Sequence, residues 1–181
     1  VAEVIGFAGT ITLLAPLDGA EGITPGDRVR LIESSITIPV GEGLLGRVID
    51  ATGRAIDGEK ALTTTDRVPL DNDPVLAMQR PPISEILATG VRSVDALLTL
   101  GRGQRMGIFA GSGVGKSTLL GMMARGTDAD VIVVGLVGER GREVQEYLQR
   151  ELNDESRKRC VTIVATSDQP ALRRVQAALA A

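Results

Sequence analysis

The stretch from residue 107 to residue 121 constrains the fold most, because it places a glycine-rich loop between an apolar run and a helical pattern. Residues 110–117 fit [AG]-x-x-x-x-G-K-[ST], with alanine at the first position. We predict a buried strand over residues 106–110 and a helix over residues 116–125. The inner side of that helix should carry the apolar side chains Leu119, Leu120, Met122 and Met123. Strand, glycine loop and helix in this order are typical of a phosphate-binding loop.

The residue types in the loop suit an anion. Glycines at 111, 113 and 115 permit backbone angles that turn successive N–H groups inward, and the helix N-terminus adds partial positive charge. Lys116 supplies an ammonium for the β- and γ-phosphates, and the Ser117 hydroxyl suits Mg²⁺. A glycine-rich turn with a solvated lysine is the alternative, which the flanking elements disfavour. The predicted nucleotide-binding residues are Ala110, Gly111, Ser112, Gly113, Val114, Gly115, Lys116, Ser117 and Thr118.

Composition excludes several classes of protein. The 181 residues, with 43% apolar and 24% charged side chains, are typical of a soluble globular protein. A net charge of −3 does not favour broad capture of nucleic acid. A single cysteine, Cys160, cannot form an intrachain disulfide, so we expect a reducing, cytoplasmic setting. The chain has no histidine, which removes the commonest metal ligand and general base. The longest apolar run, residues 131–137, is too short to span a bilayer.

The first 40 residues predict β-structure, because short strand-like runs alternate with Gly/Pro turns. We interpret them as part of a small N-terminal β-barrel or sandwich and place the start of a second domain near Gly41, giving domains 1–40 and 41–181. The strand-like runs of this part lie at residues 4–7, 10–14, 28–32 and 36–40, and another follows at 45–50 in the second domain.

From residue 83 onward, strands and helices alternate, which predicts an α/β three-layer core. We expect a helix over residues 91–98, a buried parallel strand over 131–137, a helix from Arg142 and a second buried strand over 161–165. Ser167 or Asp168 should cap a last helix with Pro170 in its first turn. That helix still runs at Ala181, so we expect the domain to be truncated at its C-terminus.

Glu139 follows the 131–137 strand at its carboxyl end, where ligands of parallel sheets collect. A carboxylate there can orient water for in-line attack on a γ-phosphate, and Arg140 beside it can meet phosphate or a neighbouring subunit. An ordinary polar turn, with Glu139 favouring the dipole of the next helix, explains the same residues. Position alone leaves both interpretations open.

Four segments together resemble the catalytic subunits of rotary-type ATPases, and most closely the ATPase of flagellar and type III protein export. They are Thr-Gly-Val-Arg-Ser-Val-Asp at 89–95, Gly-Arg-Gly-Gln-Arg at 101–105, the loop at 110–118, and Val-Gly-Glu-Arg-Gly-Arg-Glu-Val at 137–144. The resemblance extends over nearly the whole chain, including the Gly/Pro-punctuated N-terminal part.

This resemblance implies a RecA-like P-loop core with a mostly parallel sheet, preceded by part of a small N-terminal β-barrel. It makes Glu139 the catalytic carboxylate and Lys116 and Ser117 the ATP- and Mg²⁺-binding residues. It further implies a homohexamer at the cytoplasmic face of an export apparatus, with stalk and regulator proteins and export substrates as partners. The membrane would be reached through partners only. The family's arginine finger, adenine pocket and second acidic metal-site residue lie outside this chain, so the isolated chain should be poorly active.

The sequence therefore predicts an ATPase that energises protein export, and two alternatives use the same loop. A catalytic subunit of a proton-translocating ATP synthase would have the same site. A non-catalytic nucleotide-binding subunit would be expected to lack an acidic residue at position 139, so Glu139 argues against it.

Overall fold

The computed structural model describes residues 1–64, 66–71, 73–111 and 113–181. The strands in this part of the chain are β1 (Ala2–Ala8), β2 (Ile11–Pro16), β3 (Thr37–Pro39), β4 (Val48–Asp50), β5 (Arg67–Pro69), β6 (Ile86–Leu87), β7 (Leu100–Gly101), β8 (Ile132–Val137) and β9 (Cys160–Ala165). The α-helices are α1 (Arg92–Leu97), α2 (Lys116–Gly126), α3 (Gly141–Glu146), α4 (Asp154–Lys158) and α5 (Ala171–Ala180). A π-helical turn, Tyr147–Glu151, directly follows α3.

The centre of this mixed α/β fold is a parallel sheet with the strand order β4-β9-β8. Both strands predicted after residue 130 are present, but they are buried to different degrees. Every residue of β9 is buried, because β9 lies between two neighbours. β8 lies at an edge of this sheet in the described residues, and its Val133 is 49% exposed. The predicted strand at 131–137 is therefore present, but the expectation that it is fully buried is wrong.

The two faces of β9 belong to different layers of the core. Val161, Ile163 and Ala165 point to one face, where Ala177 of α5 packs. Cys160 and Val164 point to the other face, which α2, α3 and the π-helical turn cover. This alternation is the two-residue period of a strand, so helices on both faces are needed to bury it.

The chain before residue 70 contains antiparallel pairs. β1 pairs with β2 in a hairpin, and β3 pairs with β5, which joins residues on both sides of position 41. The predicted strand at residues 28–32 is wrong, since the structure has no strand there. Apolar residues alternate over this segment, but no strand among the described residues pairs with it. Val29 and Leu31 are accordingly exposed.

One arginine of α5 connects the hairpin to the sheet. Arg173 donates from Nε to the carbonyl oxygen of Leu17 at 2.9 Å, and its guanidinium pairs with Asp18 and with Asp50 of β4. The end of the hairpin, the last helix and the edge strand β4 are thus joined by a single side chain.

The helix predicted after the glycine loop is confirmed as α2, which begins at Lys116. Leu119 and Met123 pack inward on the cluster formed by α1 and β7. The sequence also predicts that Leu120 and Met122 face inward, but both are exposed. The inward face of α2 therefore holds only two of these four apolar residues.

Two local predictions around these elements are wrong. Residues 106–110 form no strand, because no backbone ladder joins them to β8 or to another strand in the described chain. The last helix begins at Ala171 with Pro170 at its N-cap and no side-chain cap, so neither Ser167 nor Asp168 caps it. A hydrogen bond from Thr166 instead engages the Asp168 carboxylate and lowers its pKa.

Acid stability should depend on a buried ion pair beside β4. Arg47 donates to both carboxylate oxygens of Asp57, at 2.7 and 2.9 Å, and the Val48 amide donates to the same group. These bonds hold the pKa of Asp57 well below its usual range. Asp57→Asn should lower the free energy of unfolding by roughly 2 kcal/mol near neutral pH.

The contribution of Asp57 is present above the ordinary aspartate pKa of about 4 and is lost as pH falls through the lowered value. The gap in stability between wild type and variant should therefore shrink below about pH 4, as measured by urea unfolding at several pH values. A gap that stays constant into that range would contradict the assignment.

Candidate functional site

The glycine loop turns into α2 through left-handed backbone angles. Gly113 has φ 77° and Gly115 has φ 98°, a region that strains any residue with a side chain. A Cβ added at either position would meet no atom within 4 Å, so backbone angle rather than crowding requires glycine. Gly111 does not adopt a positive φ, contrary to expectation. Ser112, predicted to bind nucleotide, lies outside the described residues.

Lys116 and Glu139 come together at the carboxyl end of the sheet. The Lys116 Nζ lies 3.5 Å from Glu139 Oε1, and the two side chains are 43% and 32% exposed. Both line a cavity of about 300 Å³, together with Ser117. The apolar wall of this cavity includes Ile108 and Tyr147. The residues that the sequence assigned to phosphate, metal and water thus share one cavity.

The backbone holds Glu139 in place through the neighbouring strand. Beyond the end of β8, the Gly138 amide donates to the Ala165 carbonyl oxygen at 2.7 Å. The Ser167 amide donates to the carbonyl oxygen of Glu139 at 3.0 Å. The loops after β8 and β9 are therefore bonded to each other, and the carboxylate lies at their junction.

Arg140 is oriented differently from Glu139. Its side chain is 81% exposed and lies 3.6 Å from Glu143, one turn further along α3. Such an exposed pair contributes about 0–1 kcal/mol, so it holds Arg140 only weakly. The guanidinium faces solvent and the carboxylate of Glu139 faces the cavity.

The other loop residues are open to solvent. Ala110 and Val114 are exposed, and the Thr118 hydroxyl donates to Glu151 Oε1 at 3.2 Å. Sequence reasoning missed Glu151, because charged residues on helices are usually solvated. Gly121 was the available signal, since glycine inside a helix often marks a close contact. A Cβ at Gly121 would lie 2.5 Å from the Cβ of Glu151.

The residues present fit a magnesium ion held with phosphate. Mg²⁺ is usually bound by one or two protein oxygens, with phosphates and water completing the octahedron. Ser117 offers such an oxygen at the N-terminus of α2. Across the described ranges, no group of three or more His, Cys, Asp or Glu residues is arranged to hold a metal alone. A shared site at Ser117 is the arrangement that these residues can provide.

No helix within the described part of the chain is both long and apolar enough to cross a bilayer.

Burial raises the pKa of Tyr147 to about 12, so its hydroxyl stays protonated in the cavity wall at neutral pH. Lys116 and Glu139 form an ion pair in this cavity, and Glu143 also lines it.

The model for the nucleotide-binding domain of the ATP synthase alpha/beta family matches residues 90–181. The chain is 52% identical over 180 residues to a flagellum-specific ATP synthase of Bacillus subtilis strain 168, covering 99% of this chain and 41% of that protein. It is 49% identical over 177 residues to the SPI-2 type 3 secretion system ATPase of Salmonella typhimurium, covering 98% of this chain and 41% of that protein.

Among solved structures, the chain is similar to the assembled ATPase EscN in complex with its central stalk EscO, from the enteropathogenic E. coli type III secretion system. The TM-score is 0.91 at 44% identity, covering 99% of this chain and 44% of that one. The chain thus spans about two fifths of the length of the curated relatives it matches.

Proposed function

Because the chain belongs to the ATP synthase alpha/beta family, we propose that it is the nucleotide-binding part of an ATPase that energises protein export. The export assignment rests on relatives named as flagellum-specific and type 3 secretion system ATPases, at 52% and 49% identity. The substrates are proteins delivered to a flagellar or type III secretion apparatus.

The observation that carries hydrolysis is the 3.5 Å approach of Lys116 Nζ to Glu139 Oε1 at the start of α2. Backbone N–H groups of the loop and of the helix N-terminus would hold the phosphates. The Lys116 ammonium would bind the β- and γ-phosphates. Its partly exposed pair with Glu139 is worth only about 0–1 kcal/mol, so a polyphosphate can displace it. Glu139 is then free to orient a water for in-line attack.

Ser117 would be the protein ligand of a Mg²⁺ bound with the phosphates, where the ion neutralises developing charge. Arg140 has a separate proposed role. It is exposed and weakly paired, so it is available to a phosphate or to an adjoining subunit. Ser117 and Arg140 would thus act next to Lys116 and Glu139, the residues that they directly follow in the sequence.

We also propose a RecA-like core over residues 41–181, preceded by part of a β-barrel over residues 1–40. The parallel β4-β9-β8 sheet, with α2 following the loop, supports the core. The β1–β2 hairpin supports the barrel. A homohexamer at the cytoplasmic face of the export machinery is proposed because the similar EscN structure is described as assembled and as bound to a central stalk.

Lys116→Ala in the complete protein should weaken ATP binding at least about tenfold and remove most hydrolysis, because the ammonium that pairs with the phosphates is lost. Isothermal titration with ATP and a phosphate-release assay measure the two effects. The matched control is Lys158→Ala, which removes an exposed lysine of α4.

ATP affinity unchanged in the Lys116 variant would contradict the loop assignment. The export role is tested separately, by returning each variant to a strain that lacks the wild-type protein and measuring secreted substrate. If secretion persists without hydrolysis, the chain binds and cleaves ATP for another purpose.

A further inference from the structure

The π-helical turn after α3 brings a carboxylate against α2. A π turn contains an extra residue per turn, so residues at its end face a different direction from those of a regular helix, and such turns are frequent at functional sites. Glu151 is the last residue of this turn, and its side chain is only 18% exposed. It lies against α2, the helix that carries the loop lysine.

Three residues on one face of α2 contact Glu151. The Thr118 hydroxyl donates to its Oε1 at 3.2 Å. Arg125 Nη1 lies 3.3 Å from its Oε2 and also donates to its backbone carbonyl oxygen. Between them, Gly121 leaves no room for a side chain, since a Cβ there would lie 2.5 Å from the Glu151 Cβ. Spacings of three and four residues put these positions on one helix face.

The two helices linked through Glu151 begin at, or two residues after, the two groups assigned to hydrolysis. α2 begins at Lys116, two residues before Thr118. α3 begins at Gly141, two residues after Glu139. Sliding or rotating α2 against the π-helical turn would break the bonds of Glu151 to Thr118 and Arg125. The Glu151 contacts therefore restrain how far Lys116 can lie from Glu139.

We propose that Glu151 is a positioning residue, which holds α2 in register with α3 through Thr118 and Arg125 and so sets the Lys116–Glu139 separation for hydrolysis. This inference rests on the proposed ATPase function. Hydrogen bonds to a carboxylate are about twice as strong as neutral ones, which suits a restraint between two helices. Glu151 itself need not touch the nucleotide.

Glu151→Ala in the complete protein should lower kcat for ATP hydrolysis by about 10- to 100-fold, because misplacement by about 1 Å is enough for such a loss. The KM for ATP should change by less than about threefold, because the phosphate-binding loop is retained. Glu151→Gln still accepts from Thr118 but loses the ion pair with Arg125, so it should restore part of the lost kcat. The matched control is Glu146→Ala, an exposed carboxylate of α3.

The outcomes separate this inference from the proposed function. No ATP hydrolysis by the wild-type protein would overturn the ATPase assignment. Hydrolysis by the wild type, with kcat unchanged in Glu151→Ala, would overturn only the positioning role. A proportional fall in kcat and in folded fraction, measured by circular dichroism, would mean that Glu151 is merely structural and would also overturn it.

A second pair of variants covers the case in which Glu151→Ala does not fold. Glu151→Gln and Arg125→Gln should each lower kcat, and the double variant should be no worse than the more impaired single variant, because both break one contact. Multiplication of the two losses in the double variant would overturn the proposal.

Discussion

Glu139→Gln should reduce ATP hydrolysis by the complete protein about 10²- to 10⁴-fold while ATP binding persists. Glutamine has nearly the same shape, but its amide cannot take a proton from the attacking water. The lost pair with Lys116 costs little, since both side chains are partly exposed. Phosphate release gives kcat, and equilibrium titration with ATP gives the dissociation constant.

The control for this substitution is Glu155→Gln, which makes the same carboxylate-to-amide change at an exposed position of α4. Hydrolysis close to the wild-type rate in Glu139→Gln, with unaltered ATP affinity, would remove Glu139 from the mechanism. Loss of ATP binding instead would mean that Glu139 acts mainly on the loop, through Lys116.

Gly90→Ala should destabilise the protein by about 3 kcal/mol or more, from two costs at one position. Gly90 has φ 73°, so any side chain is strained there. A Cβ would also lie 2.5 Å from the Cα of Gly126, the last residue of α2. The Cα, carbonyl carbon and carbonyl oxygen of Gly126 that it would meet all belong to the backbone, so none of them can rotate away.

Gly103→Ala separates the two costs. Gly103 has φ 86°, but a Cβ there would meet no atom within 4 Å, so only backbone strain of about 1 kcal/mol applies. Urea unfolding of both variants in the complete protein measures the difference. Equal destabilisation by the two substitutions would show that the Gly90–Gly126 approach carries no cost of its own.

The proximity of Lys116 and Glu139 could be predicted, because the order of the elements along the chain fixes where each residue lies. Lys116 begins α2 because a glycine loop precedes it, and Glu139 lies near it because it follows a parallel strand at the carboxyl end. Each inference needs only one element and its immediate neighbours. The 3.5 Å contact between the two side chains follows from putting these elements side by side.

The contacts between distant segments could not be predicted in this way. An apolar run such as residues 106–110 shows a strand tendency, but not whether a partner strand is present, and the described chain provides none. The sequence pattern makes Glu151 an ordinary charged helix residue. Its contact with Thr118 depends on a π-helical turn, which produces no recognisable periodicity in the sequence. The pairing of Gly90 with Gly126 likewise depends on how two segments meet.

The hydrogen bond from the Ser167 amide to the Glu139 carbonyl oxygen has a mechanical consequence. Only residues 168–170 separate Ser167 from α5. This short connection limits how far α5 can move relative to Glu139. α5 in turn holds the end of the hairpin through Arg173, which donates to Leu17. The hairpin is therefore bonded to α5, and the segment before α5 is bonded to Glu139. A load applied to the hairpin would therefore reach Glu139, the residue proposed to orient the attacking water, through links that are each a covalent segment or a hydrogen bond.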